Sequence, residues 1–138
     1  MSYLVDTNVL SELARPNPAP GVLTWFAGIP ESALYLSVLT LGELRKGVER
    51  LDSSARRERL ITWLEHDVIV RFGERLLPLN LEVAERWGRL LAHCERTLPA
   101  IDGLLAATAL HHNLSVVTRN VADFTLPGLT VINPWTLS

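Results

Sequence analysis

Four acids in this chain, Asp6, Glu43, Asp102 and Asp123, stand where an α/β protein can bring carboxylates together. Asp6 closes the short apolar run Tyr3-Leu4-Val5 and is followed by Thr7 and Asn8. A carboxylate so placed is delivered to the carboxyl end of a strand, the edge at which open sheets hold their ligands. Asp123 follows a second apolar run, 114–118, while Glu43 and Asp102 lie near the starts of segments with helical spacing. Carboxylates a few Å apart repel strongly in a partly desolvated pocket, and a hard divalent cation removes that conflict. Mg2+ and Mn2+ prefer carboxylate oxygens, retain several waters and can supply one of them for in-line attack on phosphorus. The chemistry suggested is metal-assisted phosphodiester cleavage.

Each acid also has a purely local reading. Asp6 can cap a helix. Thr40-Leu41-Gly42-Glu43 matches the S/T-x-x-E capping box, in which Glu43 bonds back to the helix start. Asp102, in the first turn after Pro99, complements the helix dipole, and Asp123 can close a turn before Phe124. Spacing alone leaves both readings open for all four.

The elements that must position these acids can be read in chain order. After the first strand, residues 9–14 are expected to be helical, entered through Thr7 or Asn8, and the Pro-rich stretch 15–21 is expected to stop that helix. A short helix over 22–27 leads to a strand over 34–38. Leu41, Leu44, Val48 and Leu51 then recur at helical spacing, and Ser53 or Ser54 can cap the next helix. Residues 75–79 read as a strand running into Asn80 and a helix over 81–96; Pro99 opens a helix over 100–112, with Asn113 as its stop. Strands over 114–118 and 129–132 complete the pattern. Strands alternating with helices imply a mostly parallel sheet of about five strands, helices on both faces, and all carboxyl ends on one edge.

The 138 residues are read as one domain with enough chain for a sizeable core. A net charge of −2 provides no broad basic field, so nucleic-acid binding would need a local patch. Arg45 and Lys46, near Arg50, Arg56, Arg57 and Arg59, form the most basic region, although interleaved Glu49 and Glu58 also suit a solvated helix face. The single cysteine, Cys94, precludes an internal disulfide, and no apolar run reaches the ~18 residues of a membrane span. A cytoplasmic protein is expected. No GxGxxG or Walker motif points to a nucleotide cofactor.

Four ordered motifs carry a family resemblance: 4–12 (LVDTNVLSE), 36–47 (LSVLTLGELRKG), 101–109 (IDGLLAATA) and 117–124 (VTRNVADF), with Asn133-Pro134-Trp135 closing the chain. The sequence resembles a PIN-domain ribonuclease, specifically the VapC-type toxins of toxin–antitoxin pairs and their FitB-like branch. That resemblance implies one PIN-like three-layer α/β/α domain over residues 1–138. It implies an endoribonuclease using Mg2+, for which Mn2+ substitutes, with Asp6, Glu43, Asp102 and Asp123 as the catalytic acids and Asp6 and Asp102 as direct metal ligands. Thr7, Asn8, Thr118 and Asn120 would orient carboxylates or water; Arg45 and Lys46 are candidates for RNA contact on their charge alone, against the competing reading of a solvated helix face. Some FitB-like members carry Asp where this chain has Asn120, so Asp123 is taken as the fourth acid. The implied partners are RNA, a VapB-like antitoxin that inhibits the enzyme, and a second copy of the chain, within a homodimer or a larger toxin–antitoxin assembly. Two other readings compete. One is a haloacid-dehalogenase-like phosphatase with Asp6 as covalent nucleophile, which would want an acid where Asn8 stands; the other is a non-catalytic partner-binding module.

Overall fold

A computed structural model describes residues 1–136. Strands β1 (Tyr3–Val5), β2 (Leu34–Ser37), β3 (Leu76–Leu77), β4 (Ser115–Val117) and β5 (Val131–Ile132) are all parallel. They form one sheet in the order β3-β2-β1-β4-β5. The most central strand is thus the one that ends in Asp6.

Alternate residues of a strand face opposite sides of a sheet, and the two cores follow that rule. Tyr3 and Val5 join Leu34, Leu36 and Val117 on one face, with Val9 and Leu10 of α1 (Thr7–Leu13), Val22 of α2 (Pro20–Ala27) and Leu44 of α3 (Val38–Glu49). Leu4 and Val116 face the other side, where they meet Leu105, Ala106 and Ala109 of α6 (Ala100–His112) and Phe124. The small side chains of α6 let it lie close against the sheet, and α5 (Leu81–His93) packs outside it. This is a three-layer α/β/α arrangement, as the alternation of elements implies.

Several boundaries differ from those expected. The N-cap of α1 is Asp6 itself, and α2 begins at Pro20, whose missing N–H costs nothing in a first helical turn. Val38 belongs to α3, not to the preceding strand, because the side chain of Ser37 caps the helix by accepting from the Leu39 N–H (3.1 Å). Beyond α4 (Ala55–Thr62) the helix widens into a π-helical segment, Trp63–Val70, through which Leu64 and Val68 reach the first core. Helix α5 ends at His93, since Cys94 is extended. Asn113 does stop α6, in the left-handed conformation that Asn tolerates (φ 56°).

Candidate active site

The register of the sheet explains why residues 112 positions apart meet. Val5 pairs with Val117, so Asp6 and Thr118 are the next residues out along adjacent parallel strands. Asp6 N–H still donates to Val117 O (2.9 Å), and Thr118 N–H donates to Ile132 O (2.9 Å). Both side chains therefore leave the sheet at its carboxyl edge from an ordered backbone.

Asp6 is buried, and both carboxylate oxygens are used. Oδ1 accepts from Thr7 N–H (2.8 Å), which is the capping role anticipated as the local reading, while Oδ2 accepts from Thr118 Oγ1 (2.8 Å). Capping and site-building coexist in one side chain. A hydroxyl has one proton and two lone pairs, and Thr118 uses all three. Its proton goes to Asp6; its lone pairs accept from Asn120 N–H (3.0 Å) and Asn8 Nδ2 (3.3 Å). Asn8 Nδ2 also reaches Asp6 Oδ2 (3.4 Å), and its Oδ1 accepts from Arg119 N–H (3.2 Å). The loop after β4 is thereby tied to the start of α1.

Glu43 does not act as a capping-box residue. The N-cap is Ser37 and the helix begins at Val38, too early for Thr40 to be its N-cap, and Thr40 is buried inside the first turns with its hydroxyl unpartnered. Glu43 Oε1 instead accepts from Thr7 Oγ1, which links α3 to α1 beside Asp6. Asp102 enters from the first turn of α6 and Asp123 from a short 3-10 turn, Val121–Phe124, anchored by the fully buried Phe124.

The four charges feel one another. Burial, followed by the charges of Asp6, Asp123 and Glu43, pushes the Asp102 carboxyl up to about 6. Burial is also the largest influence on Asp6 and raises it, opposed by the hydrogen bonds from Thr118 and Thr7 and reinforced by Glu43 and Asp123. Among the described residues, no Lys, Arg or His forms an ion pair with any of the four acids. Nor do three His, Cys, Asp or Glu side chains among them stand close enough to make a complete metal cage. Carboxylates suit a hard divalent cation, which can be held through one or two of them and keep much of its water.

Of the other residues singled out, Asn120 uses its backbone N–H at the site while its side chain is exposed. Arg45 is engaged by Glu49 (3.7 Å) and Glu65 (3.3 Å), and Lys46 is exposed. Two contributors were not anticipated. Ser37, fully buried, ends β2 at the same edge as Asp6, and its signal was a small polar residue closing an apolar run. Gly103 admits the Trp87 indole against α6 next to Asp102, because a Cβ there would lie 3.1 Å from Trp87 Nε1. No sequence pattern marks that contact.

Comparison with known proteins agrees with this fold. The family model described as PIN domain matches residues 3–124. A VapC ribonuclease, Y4jK, from Sinorhizobium fredii is 36% identical over 135 residues, covering 96% of each chain. Toxin FitB from Neisseria gonorrhoeae is 36% identical over 135 residues, covering 96% of this chain and 97% of its own. The crystal structure of FitAcB from Neisseria gonorrhoeae superposes with a TM-score of 0.92 at 36% identity, covering 98% of this chain and 99% of that one.

Proposed function

The chain belongs to the PIN-domain family, and from that premise we propose that it is a VapC-type toxin: a metal-dependent endoribonuclease that hydrolyses RNA phosphodiester bonds. The observation that carries this reading is that four acids near one sheet edge feel one another's charge, while none of them forms an ion pair with a Lys, Arg or His among the described residues. Asp6 and Asp102 would hold Mg2+, with Mn2+ able to substitute, and Glu43 and Asp123 would add negative charge around it. Bound there, the cation supplies Lewis acidity, lowering the pKa of a water and offsetting charge on the phosphate. Thr118 fixes the rotamer of Asp6, Asn8 and the Asn120 N–H fix Thr118, and Thr7 fixes Glu43, so the acids face the reaction in a set geometry.

Membership in the PIN family speaks against the haloacid-dehalogenase alternative, and so does Asn8, which stands where that chemistry wants a second acid. The reading takes residues 1–138 as one PIN domain, working where cytoplasmic RNA is found, paired with a second copy and restrained by a VapB-like antitoxin. Among the described residues no helix is long and apolar enough to cross a membrane.

Incubating the protein with RNA in Mg2+ tests the enzymatic claim. Asp6→Asn is expected to lose at least ~100-fold in cleavage rate, since even residues that only orient metal ligands cost 10–100-fold. EDTA should abolish wild-type cleavage. Undiminished cleavage by the variant would remove Asp6 from the mechanism.

A further inference from the structure

Helices α1, α3 and α4 leave a groove between them with a cavity of about 210 Å³, lined among others by Arg15, Glu43, Leu44, Arg56, Leu60 and Trp63. It falls below the ~300–1,000 Å³ of sites that enclose a drug-sized ligand, and suits one ring-sized group. Glu43 lines this groove and also accepts from Thr7 beside Asp6, so the groove and the acidic edge adjoin at that residue.

The basic run that flanks the groove divides on inspection. Arg45 is held by Glu49 and Glu65, and Arg57 by Glu49 (2.9 Å) and Glu58 (3.9 Å). Arg56 is exposed, lines the groove and has no ion pair among the described residues. Arg15 reaches the same groove from the end of α1, and its side chain is 66% exposed with one contact, to Glu12 at 3.4 Å. An exposed pair of that kind holds a side chain weakly. Two available guanidinium groups and an apolar wall of Leu44, Leu60 and Trp63 therefore adjoin an acidic centre that repels phosphate.

We propose that this groove is a subsite for the nucleotide flanking the scissile phosphate, with Arg15 and Arg56 engaging the backbone phosphates and the apolar wall receiving the base. The inference rests on the ribonuclease reading above. A guanidinium fork matches phosphate geometry, and a strand leaving the acids needs cations beyond them. RNA is favoured over an acidic peptide because the groove shares Glu43 with the edge where RNA would be cut.

The test uses the full chain and a fluorescein-labelled decauridylate, with steady-state cleavage in Mg2+ and anisotropy binding in EDTA, both across a salt series. Arg56→Gln and Arg15→Gln are each expected to raise KM roughly 5–10-fold, with a smaller change in kcat, and to flatten the log–log salt dependence of binding by about 0.7, the value for one phosphate contact on a single strand. Arg57→Gln, whose side chain is already paired outside the groove, should change neither. Unaltered KM and salt slope in both groove variants, with wild-type cleavage intact, would overturn the subsite and leave the nuclease standing. Absent wild-type cleavage combined with arginine-dependent RNA binding would instead leave the groove standing and remove the nuclease. If Arg56→Gln weakened binding of polyglutamate but not of the RNA, the groove would belong to a peptide and the proposal would fail.

Discussion

Thr118 shows how much a single hydroxyl can organise. It is fully buried, donates to Asp6 and accepts from the two groups that bind the following loop to α1. Thr118→Val keeps the shape and removes all three bonds. Metal affinity measured by Mn2+ titration should fall ~10–100-fold, the usual cost of losing a ligand's orienting partner. Thr118→Ser, which restores the hydroxyl, should recover most of it. Equal affinity in the Val and Ser variants would show that the hydroxyl only fills space. Asp6, Glu43, Asp102 and Asp123 stood out in the sequence as candidates because strand ends and helix starts are recognisable positions for acids, but spacing alone left a local reading open for each. Spacing could not reveal which hydrogen bonds each makes. Asp6 turned out to cap a helix as well as face the edge, whereas Glu43 caps nothing.

At the scale of elements, what was legible had a clear period or a clear punctuation mark. Strand β1 and the valines of β4 are short apolar runs, α6 lies between its N-cap Pro99 and its C-cap Asn113, and all of these were anticipated to within a residue or two. Strand β3 lies inside the expected 75–79 but is shorter, Leu76–Leu77, and the π-helical turns before it were not anticipated, because their order comes from tertiary contacts. Arg75 is the clearest of these: its guanidinium donates to the carbonyls of Glu31, Leu34 and Arg71, stapling the end of the π-helical region to the start of β2. The contact between α5 and α6 is equally non-local. Gly103→Ala would place a methyl group 3.1 Å from Trp87 Nε1 beside Asp102, so the indole must shift to admit it. Overpacking of this kind costs ~1–3 kcal/mol, to be read by urea denaturation, with a shift in tryptophan emission as α5 is displaced. Unchanged stability and emission would mean that the two helices separate freely, and that α6 does not hold Asp102 through this contact.

For the whole molecule, the acidic edge sets a balance between folding and charge. The Asp102 carboxyl is raised to about 6 from an ordinary 3.8, so the folded chain holds this proton more tightly than the unfolded chain. Its contribution to stability is complete below the unfolded value and is lost as pH rises through about 6. In EDTA, the Tm of Asp102→Asn relative to wild type should therefore rise between pH 4 and pH 7, because the amide never acquires the charge. Saturating Mg2+ should raise the wild-type Tm at pH 7 more than that of the variant. A constant Tm difference across that range would show that the acids do not strain the fold. The parallel sheet, by sending every strand's carboxyl end to one edge, accounts for how acids from four separate parts of the chain come to share that strain.

The central claim is that this edge is a cation site, and calorimetric titration of Mn2+ into the protein at pH 7.5 tests it most directly. Saturable binding in wild type that is lost in both Asp6→Asn and Asp102→Asn is the predicted result. Absence of binding in wild type, or binding undisturbed in both variants, would contradict it.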